Sequence, residues 1–406
     1  MSGFHSSTPG AREVVAGTLA KLRSVPALAG RYDDVVALDS LEDLVHVPVM
    51  LKEDLNVALD HLRPKAHSGS TWMFQSGGTT GSPNLGYAPS GLYMAEVYEQ
   101  WRPLSSKDLF VNGWVAGKMW GGHYLVSAYA DLTGCTAIGL GSIGPAEYDA
   151  WLDFFAVRGV TSFGGSTSTL RALFRHARES GAKLPDLRSV LWLGEAWHPQ
   201  LDEDIPAVAP NARRWGLYGS TETWVIGTNT PDCPDDHWHP LPSQLVHVGA
   251  DQLLDFTSLK PHGLNPALRY RTGDAGEWVE ACRCGTPGRA LRLLGRRDGV
   301  IRYRSYSIDV DATIADLSAL PGVSRVQLRI TSHPERADVL EILVVPARDA
   351  APDLAGRMRE HILGGAFGVS SLFRADPSSF TVELIDAAIG NERTGKTANI
   401  IRAQAT

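Results

Sequence analysis

Strand-like and helix-like segments alternate between residues 108 and 224, and this alternation limits the folds open to the chain. Apolar runs at 108–114 and 189–197 are separated by amphipathic stretches such as 147–159. This order is typical of α/β layers with mainly parallel strands. The last hundred residues instead contain three strand-like runs and one helical segment. We predict a large N-terminal α/β domain with parallel-rich sheets and a small C-terminal α+β domain.

The Gly- and charge-rich segment 294–299 is typical of a linker between these parts. We place the boundary at Asp298, which gives domains of residues 1–297 and 298–406. A chain of 406 residues is long enough for two domains and for a large core without disulfides.

Composition excludes several classes of protein. The net charge of −7 gives no electrostatic basis for a general nucleic-acid or anionic-membrane binder. No run of 18 apolar residues predicts a transmembrane helix, and the N-terminal residues lack a signal-peptide core. Four cysteines indicate a reducing compartment. We therefore expect a cytoplasmic enzyme.

A Gly/Ser/Thr loop, SGGTTG, lies between two strand-like segments at 76–81. Glycines let backbone N–H groups approach a phosphate closely, and hydroxyls add neutral donors. The loop is formed by Ser76, Gly77, Gly78, Thr79, Thr80 and Gly81. A simple surface turn is the alternative interpretation.

Two further motifs follow buried strands. In LYGSTET, Tyr218 offers a ring to stack on a base, and Glu222 offers a carboxylate for Mg²⁺. In YRTGD, Asp274 can accept from both hydroxyls of a ribose, and Arg296 further on can meet ribose or phosphate. Ordinary turns and a solvated basic linker are the alternatives.

Lysine is rare in this chain, since only eight of the 38 basic residues are lysine. After Lys260 there are 18 arginines and one lysine, Lys396. A lysine presents a compact charge on a flexible stem, whereas arginine presents a planar fork. This difference gives a physical reason for lysine at 396, although one lysine among so many arginines also arises by chance.

In this order and spacing, the motifs resemble the acyl-adenylate-forming superfamily of acyl-CoA synthetases, peptide-synthetase adenylation domains and luciferases. The similarity is greatest to the phenylacetate–CoA ligase branch. It rests on LEDLVHVPVMLKEDL, SGGTTGSP, LGEAW, YGSTE, YRTGD, CRCGTPGRALRLLGRRD and RTGKTANII. The resemblance implies an AMP-forming ligase whose small domain moves about a hinge, and a reaction in which ATP and a carboxylate give acyl-AMP and pyrophosphate.

The resemblance also implies residue roles. Lys396 would bridge the carboxylate and the α-phosphate, Thr221 would touch phosphate or carboxylate, Glu222 would hold Mg²⁺, and Asp298 would be the hinge. Tyr218 would stack on adenine. The ATP-binding residues implied in this way are Ser76, Gly77, Gly78, Thr79, Thr80, Gly81, Gly194, Glu195, Ala196, Tyr218, Gly219, Ser220, Asp274 and Arg296.

The acid pocket is expected near the aromatic, Gly-rich segment 114–124, where members of this superfamily place substrate-facing residues. Aromatic walls suit a flat aromatic acid. The predicted substrate residues are Lys118, Trp120, His123, Trp197 and Gly216. Core packing of the tryptophans and a surface position for the lysine are the alternatives.

Four residues have the types and spacing of a zinc site. Cys233 and His239 lie on one segment, and Cys282 and Cys284 form a Cys-x-Cys further on. Such a set can make a tetrahedral structural Zn²⁺ site. His239 is preferred over His237, and four reduced thiols with surface histidines are the alternative.

Three functions remain open from the sequence. The first is ATP-dependent adenylation of an aromatic carboxylic acid, followed by transfer to CoA, a carrier protein or another acceptor. Ser305 stands where ligases of this kind carry a glycine that helps admit pantetheine, so the transfer step is less secure than adenylation. The second is activation of nitrite or another small acid for N–N bond formation on an aromatic amine, as in secondary metabolism. The third is a non-catalytic adenylate-binding protein. The oligomeric state is left open.

Overall fold

The computed structural model describes residues 10–35, 38, 40–75, 85–117, 119–141, 143–296, 299–304, 306–332, 337–348, 350–365, 369–389 and 399–404. They form two compact units, one from residues 10–75 and 85–296 and one from residues 299–404. The functional roles assigned to the two parts stay predictions. The predicted phosphate loop, Lys118, Asp298, Ser305 and Lys396 lie outside the described residues.

Among its described residues, the first unit contains eight α-helices. They are α1 (Ala11–Arg23), α2 (Pro26–Tyr32), α3 (Lys52–Leu62), α4 (Met94–Gln100), α5 (Gly122–Thr133), α6 (Tyr148–Arg158), α7 (Thr167–Ser180) and α8 (Leu201–Val208). Short 3₁₀ helices cover Leu41–His46 and Pro145–Glu147. Local hydrogen bonds explain where two of these helices begin. Asp43 accepts from the Ser40 N–H at 2.7 Å at the start of the first 3₁₀ helix, and Ser166 caps the start of α7.

The strands of the first unit form a hairpin and one large sheet. The hairpin pairs β1 (Thr71–Gln75) with β2 (Leu85–Pro89), and the predicted phosphate loop joins the two strands in sequence. The sheet strands are β3 (Leu109–Asn112), β4 (Thr136–Gly139), β5 (Ser162–Gly165), β6 (Ser189–Leu193), β7 (Arg213–Ser220), β8 (Trp224–Asn229), β9 (His237–Pro240), β10 (Gln244–Val248), β11 (Leu253–Ser258), β12 (Tyr270–Val279) and β13 (Ala290–Arg296).

The large sheet has the order β10-β11-β12-β13-β9-β8-β7-β6-β5-β3-β4. The five strands β4, β3, β5, β6 and β7 are parallel, and the rest pair antiparallel. The α/β class predicted from the alternating pattern is therefore confirmed. In a parallel array the carboxyl ends of strands share one edge, where ligands usually bind. That edge carries Gly194 after β6 and Thr221 after β7.

The sequence left one helix unassigned and placed one linker too early. Helix α5 begins within the aromatic, Gly-rich segment 114–124, where Gly122 is its first residue, and its face with Leu125 and Tyr129 is buried. The predicted linker 294–299 is strand β13 as far as Arg296, because Arg296 pairs across the ladder with Asp274.

The second unit is the small α+β fold that the sequence predicts. Its elements are β14 (Val300–Tyr303), β15 (Tyr306–Asp309), α9 (Val310–Ser318), β16 (Val323–Ser332), β17 (Val339–Pro346), α10 (Leu354–Gly364), α11 (Val369–Ala375), a 3₁₀ turn (Pro377–Ser379), β18 (Phe380–Leu384) and β19 (Ile400–Gln404). The sheet order is β18-β17-β16-β19. Within the described residues, no helix is both long and apolar enough to cross a bilayer.

Candidate active site

Asp274 lies on β12 directly opposite Arg296 on β13. Its Oδ1 accepts from the Arg296 guanidinium at 3.0 Å, and its Oδ2 accepts from the Tyr218 hydroxyl at 2.7 Å and from Thr272 Oγ1 at 3.1 Å. Gly273 adopts a left-handed φ of +83°, which a side chain would strain. The carboxylate is therefore fixed in orientation by three partners before any ligand arrives.

Tyr218 connects the central strand β7 to this carboxylate. Its ring packs against Trp238 and Phe256, with centroid distances of 5.6 and 6.2 Å. Burial, followed by the negative charge of Asp274, raises the pKa of Tyr218 well above its ordinary value. The hydroxyl therefore stays protonated and remains a hydrogen-bond donor at neutral pH.

Glu222 occupies the turn between β7 and β8 and is only 5% exposed. Burial, followed by the charge of Glu222 and a hydrogen bond to it, raises the pKa of Tyr270 well above its ordinary value. The Glu222 carbonyl accepts from Asn265 Nδ2 at 2.7 Å. A buried carboxylate beside polar partners is a chemically suitable ligand for Mg²⁺.

The backbone of this turn also meets the β1–β2 hairpin. A Cβ at Gly86 would lie 2.0 Å from the Thr221 carbonyl oxygen, so only glycine permits the approach. A Cβ at Gly219 would lie 2.1 Å from the Trp224 carbonyl oxygen, so this glycine is likewise required by packing. Ser220 exchanges a hydroxyl hydrogen bond with Thr223 at 2.9 Å. Thr221 and its neighbours are thus held against the strand that leaves the phosphate loop.

The predicted adenine loop begins where β6 ends. Gly194 adopts a φ of +88°, and no atom lies within 4 Å of the position its Cβ would take. Glu195 is half-buried and Ala196 is exposed. The structure brings this loop to the same sheet edge as Tyr218, and its contact with adenine stays a prediction.

Two of the predicted substrate residues have packing roles. Trp197 is buried, packs against Trp192 at a tilt of 56° with centroids 4.9 Å apart, and donates its indole N–H to Asp202 at 3.0 Å. A Cβ at Gly216 would lie 2.6 Å from the Trp192 ring, which takes the space on that side. Substrate contact by Trp197 and Gly216 stays a prediction.

Trp120 and His123 lie beside an aromatic cluster that is formed by Trp72, Phe74, Tyr124 and Trp224. Trp120 packs against the buried core beside β1, and the Gln75 N–H donates to the Met119 carbonyl at 2.8 Å. His123 Nδ1 lies 2.7 Å from the Trp114 carbonyl oxygen. Because a carbonyl only accepts, Nδ1 carries the proton and Nε2 keeps its lone pair in the neutral ring.

The aromatic cluster itself includes residues that the sequence did not single out. Tyr124 lies 5.3 Å from Trp72 and 5.7 Å from Phe74, and Phe74 meets Trp224 edge-on at 5.5 Å. Trp72 remains 40% exposed. The only local signal was a high aromatic content in two separate segments.

The chain is similar to one family model and, in its fold, to several solved structures. Residues 52–249 match a family model described as AMP-binding enzyme. The structure is similar to 2-hydroxyisobutyryl-CoA ligase, with a TM-score of 0.75 and 18% identity over 98% of this chain and 91% of that chain. The comparison with curated protein sequences gives no match. The resemblance to the acyl-adenylate-forming superfamily is confirmed.

Two further solved structures share the fold. The amide bond synthetase McbA from Marinactinospora thermotolerans has a TM-score of 0.59 and 19% identity over 80% of this chain and 67% of that chain. A double mutant of o-succinylbenzoate CoA synthetase from Bacillus subtilis has a TM-score of 0.59 and 15% identity over 83% and 69%. The adenylate-forming fold is therefore shared with both CoA ligases and an amide-forming enzyme.

The structure also brings the four predicted metal ligands together. The ligand atoms of Cys233, His239, Cys282 and Cys284 all lie within 4.8 Å of one another. His239 Nε2 is 3.1 Å from Cys284 Sγ, whereas His237 Nδ1 lies beside Asp236 at 2.5 Å. The preference for His239 over His237 therefore agrees with the geometry.

Sequence reasoning missed two residues that support Glu222 in the adenylate-forming site. Tyr270 belongs to the YRTGD motif but received no role, and Asn265 lies in no motif. Their contacts with Glu222 join positions more than forty residues apart. No local pattern indicates such contacts, since they arise only when β12 folds beside the β7–β8 turn.

Proposed function

We propose that this protein is an ATP-dependent, AMP-forming ligase that adenylates an aromatic carboxylic acid and passes the acyl group to CoA or another acceptor. The observation that carries the proposal is the fixed Asp274 carboxylate beside Tyr218 and Arg296. The similar 2-hydroxyisobutyryl-CoA ligase was solved in complex with an acyl-AMP and CoA.

The Asp274 carboxylate suits a ribose. A carboxylate has about four lone-pair positions, and Arg296, Tyr218 and Thr272 engage three of them. One ribose hydroxyl can therefore bind at Oδ1, and a neighbouring hydroxyl would replace the 3.1 Å bond from Thr272 at Oδ2. Arg296 orients the carboxylate through a charge-assisted hydrogen bond of 3.0 Å. Preorganised partners of this kind add to affinity because little ordering is left to complete on binding.

In the proposed reaction an oxygen of the substrate carboxylate attacks the α-phosphorus of ATP. The bond from that phosphorus to the bridging oxygen of the β-phosphate breaks, and pyrophosphate leaves with the electron pair. Glu222 would hold the Mg²⁺ that offsets phosphate charge. Thr221 and Lys396 are the groups we expect to stabilise the charge that develops on the transferring phosphoryl group.

The aromatic cluster supports the choice of an aromatic acid. Trp72 and Tyr124 form a partly exposed aromatic surface on β1 and α5, next to the segment with Trp120 and His123. Flat apolar walls with few polar groups favour a flat apolar ligand. His123 offers one imidazole nitrogen for a polar substituent or the carboxylate.

We also propose a structural Zn²⁺ at Cys233, His239, Cys282 and Cys284. Zn–S bonds near 2.3 Å give ligand spacings of about 3.8 Å in a tetrahedron, so only a small contraction from the present spacing is needed. The backbone N–H of Thr286 lies 3.4 Å from Cys284 Sγ and that of Thr230 lies 3.5 Å from Cys233 Sγ. Such donors support metal-bound thiolates. The ion would tie the β8–β9 turn to the β12–β13 turn.

The test is pyrophosphate release over a panel of aromatic and aliphatic acids, with and without CoA. We expect release with one class of aromatic acid, and AMP formation that accelerates with CoA or an amine. Nitrite with an arylamine belongs in the same panel, because release with nitrite alone would replace the aromatic-acid proposal. No release with any acid, together with intact ATP binding, would instead favour the non-catalytic alternative.

Two lysine variants test the catalytic role of Lys396, one at the proposed site and one at the surface as a control. Lys396→Ala is expected to abolish pyrophosphate release while ATP still binds, and the exposed Lys107→Ala is expected to leave both unchanged. Near-normal turnover of the Lys396 variant would refute the role assigned to it.

A further inference from the structure

Asn265 lies between β11 and β12 and is only 6% exposed. Its side chain connects two distant parts of the first unit. Oδ1 accepts from the Tyr87 N–H at 2.8 Å, and Nδ2 donates to the Glu222 carbonyl at 2.7 Å. The amide therefore bridges strand β2 and the β7–β8 turn.

The same two segments meet at two further points. The Trp224 indole N–H donates to the Tyr87 carbonyl at 3.1 Å, so Tyr87 is held through both backbone groups. Gly86 packs directly on the Thr221 carbonyl. Strand β2 is thus fixed against the β7–β8 turn at Gly86 and Tyr87.

This bridge requires an amide. The Tyr87 N–H needs an acceptor and the Glu222 carbonyl needs a donor, and one planar amide supplies both. Aspartate supplies only acceptors, and leucine supplies neither. A buried backbone group that loses its hydrogen-bond partner destabilises the fold, so the position is chemically demanding.

We infer that Asn265 is a positioning residue for the nucleotide site. It holds the turn that carries Glu222 at a constant spacing from β2, the strand that the predicted phosphate loop enters. The inference rests on the proposed function, in which Glu222 holds Mg²⁺ and the loop holds the ATP phosphates. Asn265 acts on Glu222 through the backbone and touches neither ATP nor the metal ion.

The test compares Asn265→Asp and Asn265→Leu with Ser189→Ala. Ser189 is a fair control because it is similarly buried and donates to a backbone carbonyl, that of Pro103, at 2.9 Å in the core. ATP binding is measured by calorimetry across a Mg²⁺ titration, which requires no acid substrate. Melting temperature is measured for every variant.

We expect both Asn265 variants to need about 10-fold more Mg²⁺ for half-maximal ATP binding, as is usual when a group that orients a metal ligand is lost. The kcat for pyrophosphate release should fall more than the KM for ATP rises. The Ser189 variant should lower the melting temperature without changing the Mg²⁺ requirement. Trp224→Phe, which removes the other bond to Tyr87, should shift the Mg²⁺ requirement in the same direction and serves if the Asn265 variants do not fold.

The outcomes separate the two claims. If the wild-type protein shows no Mg²⁺-dependent binding of ATP, the proposed function and this inference are both overturned. A wild-type protein that binds, with Asn265 and Trp224 variants whose Mg²⁺ requirement is unchanged, would overturn the inference alone.

Discussion

The Asp274 site and the cysteine–histidine cluster lie in the same unit but are held in different ways. Asp274 is satisfied by side chains of the protein itself, namely Tyr218, Thr272 and Arg296. The four atoms of the cluster lie close to one another, and their other contacts come mainly from threonine hydroxyls and backbone N–H groups. The first region is therefore oriented before its ligand binds, whereas the second would gain its full bonding only with the zinc ion that we propose.

The largest effect is expected from breaking the cluster. Cys282→Ser should lose zinc, measured as metal per chain, and lower the melting temperature by about 10 °C, since loss of a structural metal site costs several kcal/mol. Cys135→Ser, which changes a half-buried thiol outside the cluster, should keep the metal.

The histidine choice gives a second control for the same experiment. His239→Asn should lose zinc and His237→Asn should retain it, because His237 is engaged with Asp236. Wild-type protein with far less than one zinc per chain would contradict the metal assignment. Of the two regions, only the Asp274 site would then remain as a candidate ligand site.

The next effect concerns Asp274. Asp274→Asn keeps the shape and removes the charge that faces Arg296, so ATP affinity should fall about 10- to 100-fold, the range for a lost charge-assisted hydrogen bond. Glu277→Gln is the matched control, because Glu277 pairs with Arg292 on the same two strands at 3.1 Å. Equal losses in ATP affinity for both variants would show that the pairing of β12 with β13, and not the Asp274 carboxylate, determines the affinity.

A smaller effect is expected for Tyr218→Phe. The variant keeps the ring against Trp238 and loses one donor to Asp274, so ATP affinity should fall about 3- to 10-fold. Tyr129→Phe removes a buried hydroxyl that donates to the Trp101 carbonyl, and should change stability alone. An unchanged ATP affinity in Tyr218→Phe would mean that the orientation of Asp274 does not limit binding.

The mildest change to the cysteine–histidine cluster is expected for Thr286→Val. It removes the Thr286 hydroxyl, which lies 3.2 Å from Cys284 Sγ, and leaves the backbone N–H in place. Zinc should be retained with an affinity reduced by about 10-fold, measured by competition with a chelator. A loss of metal as complete as in Cys282→Ser would show that the cluster depends on this hydroxyl as strongly as on its ligands.

Much of this organisation could be predicted because it is written in local patterns. The apolar period gives the parallel strands, and the two strands predicted on either side of the Gly-rich segment are β1 and β2. Tyr218, Glu222 and Asp274 were found because each belongs to a short motif with a chemical rationale.

The remainder depends on contacts between distant segments. The insertion of β9 between β8 and β13 has no sequence signal, since it is decided by which edges remain unpaired when the strands assemble. Asn265 is equally invisible, because its partners lie 43 and 178 residues away. Helix α5 was missed because its glycines serve as its start and its end cap.

The β12–β13 hairpin joins the two regions compared above. Cys282 and Cys284 lie in its turn, and Asp274 and Arg296 pair at its open end, about 20 Å away along the strands. A slip of one residue would turn Asp274 to the opposite face of the sheet. If zinc closes the turn, it fixes the register of β12 against β13. Protein synthesised without zinc would then bind ATP more weakly than protein synthesised with it.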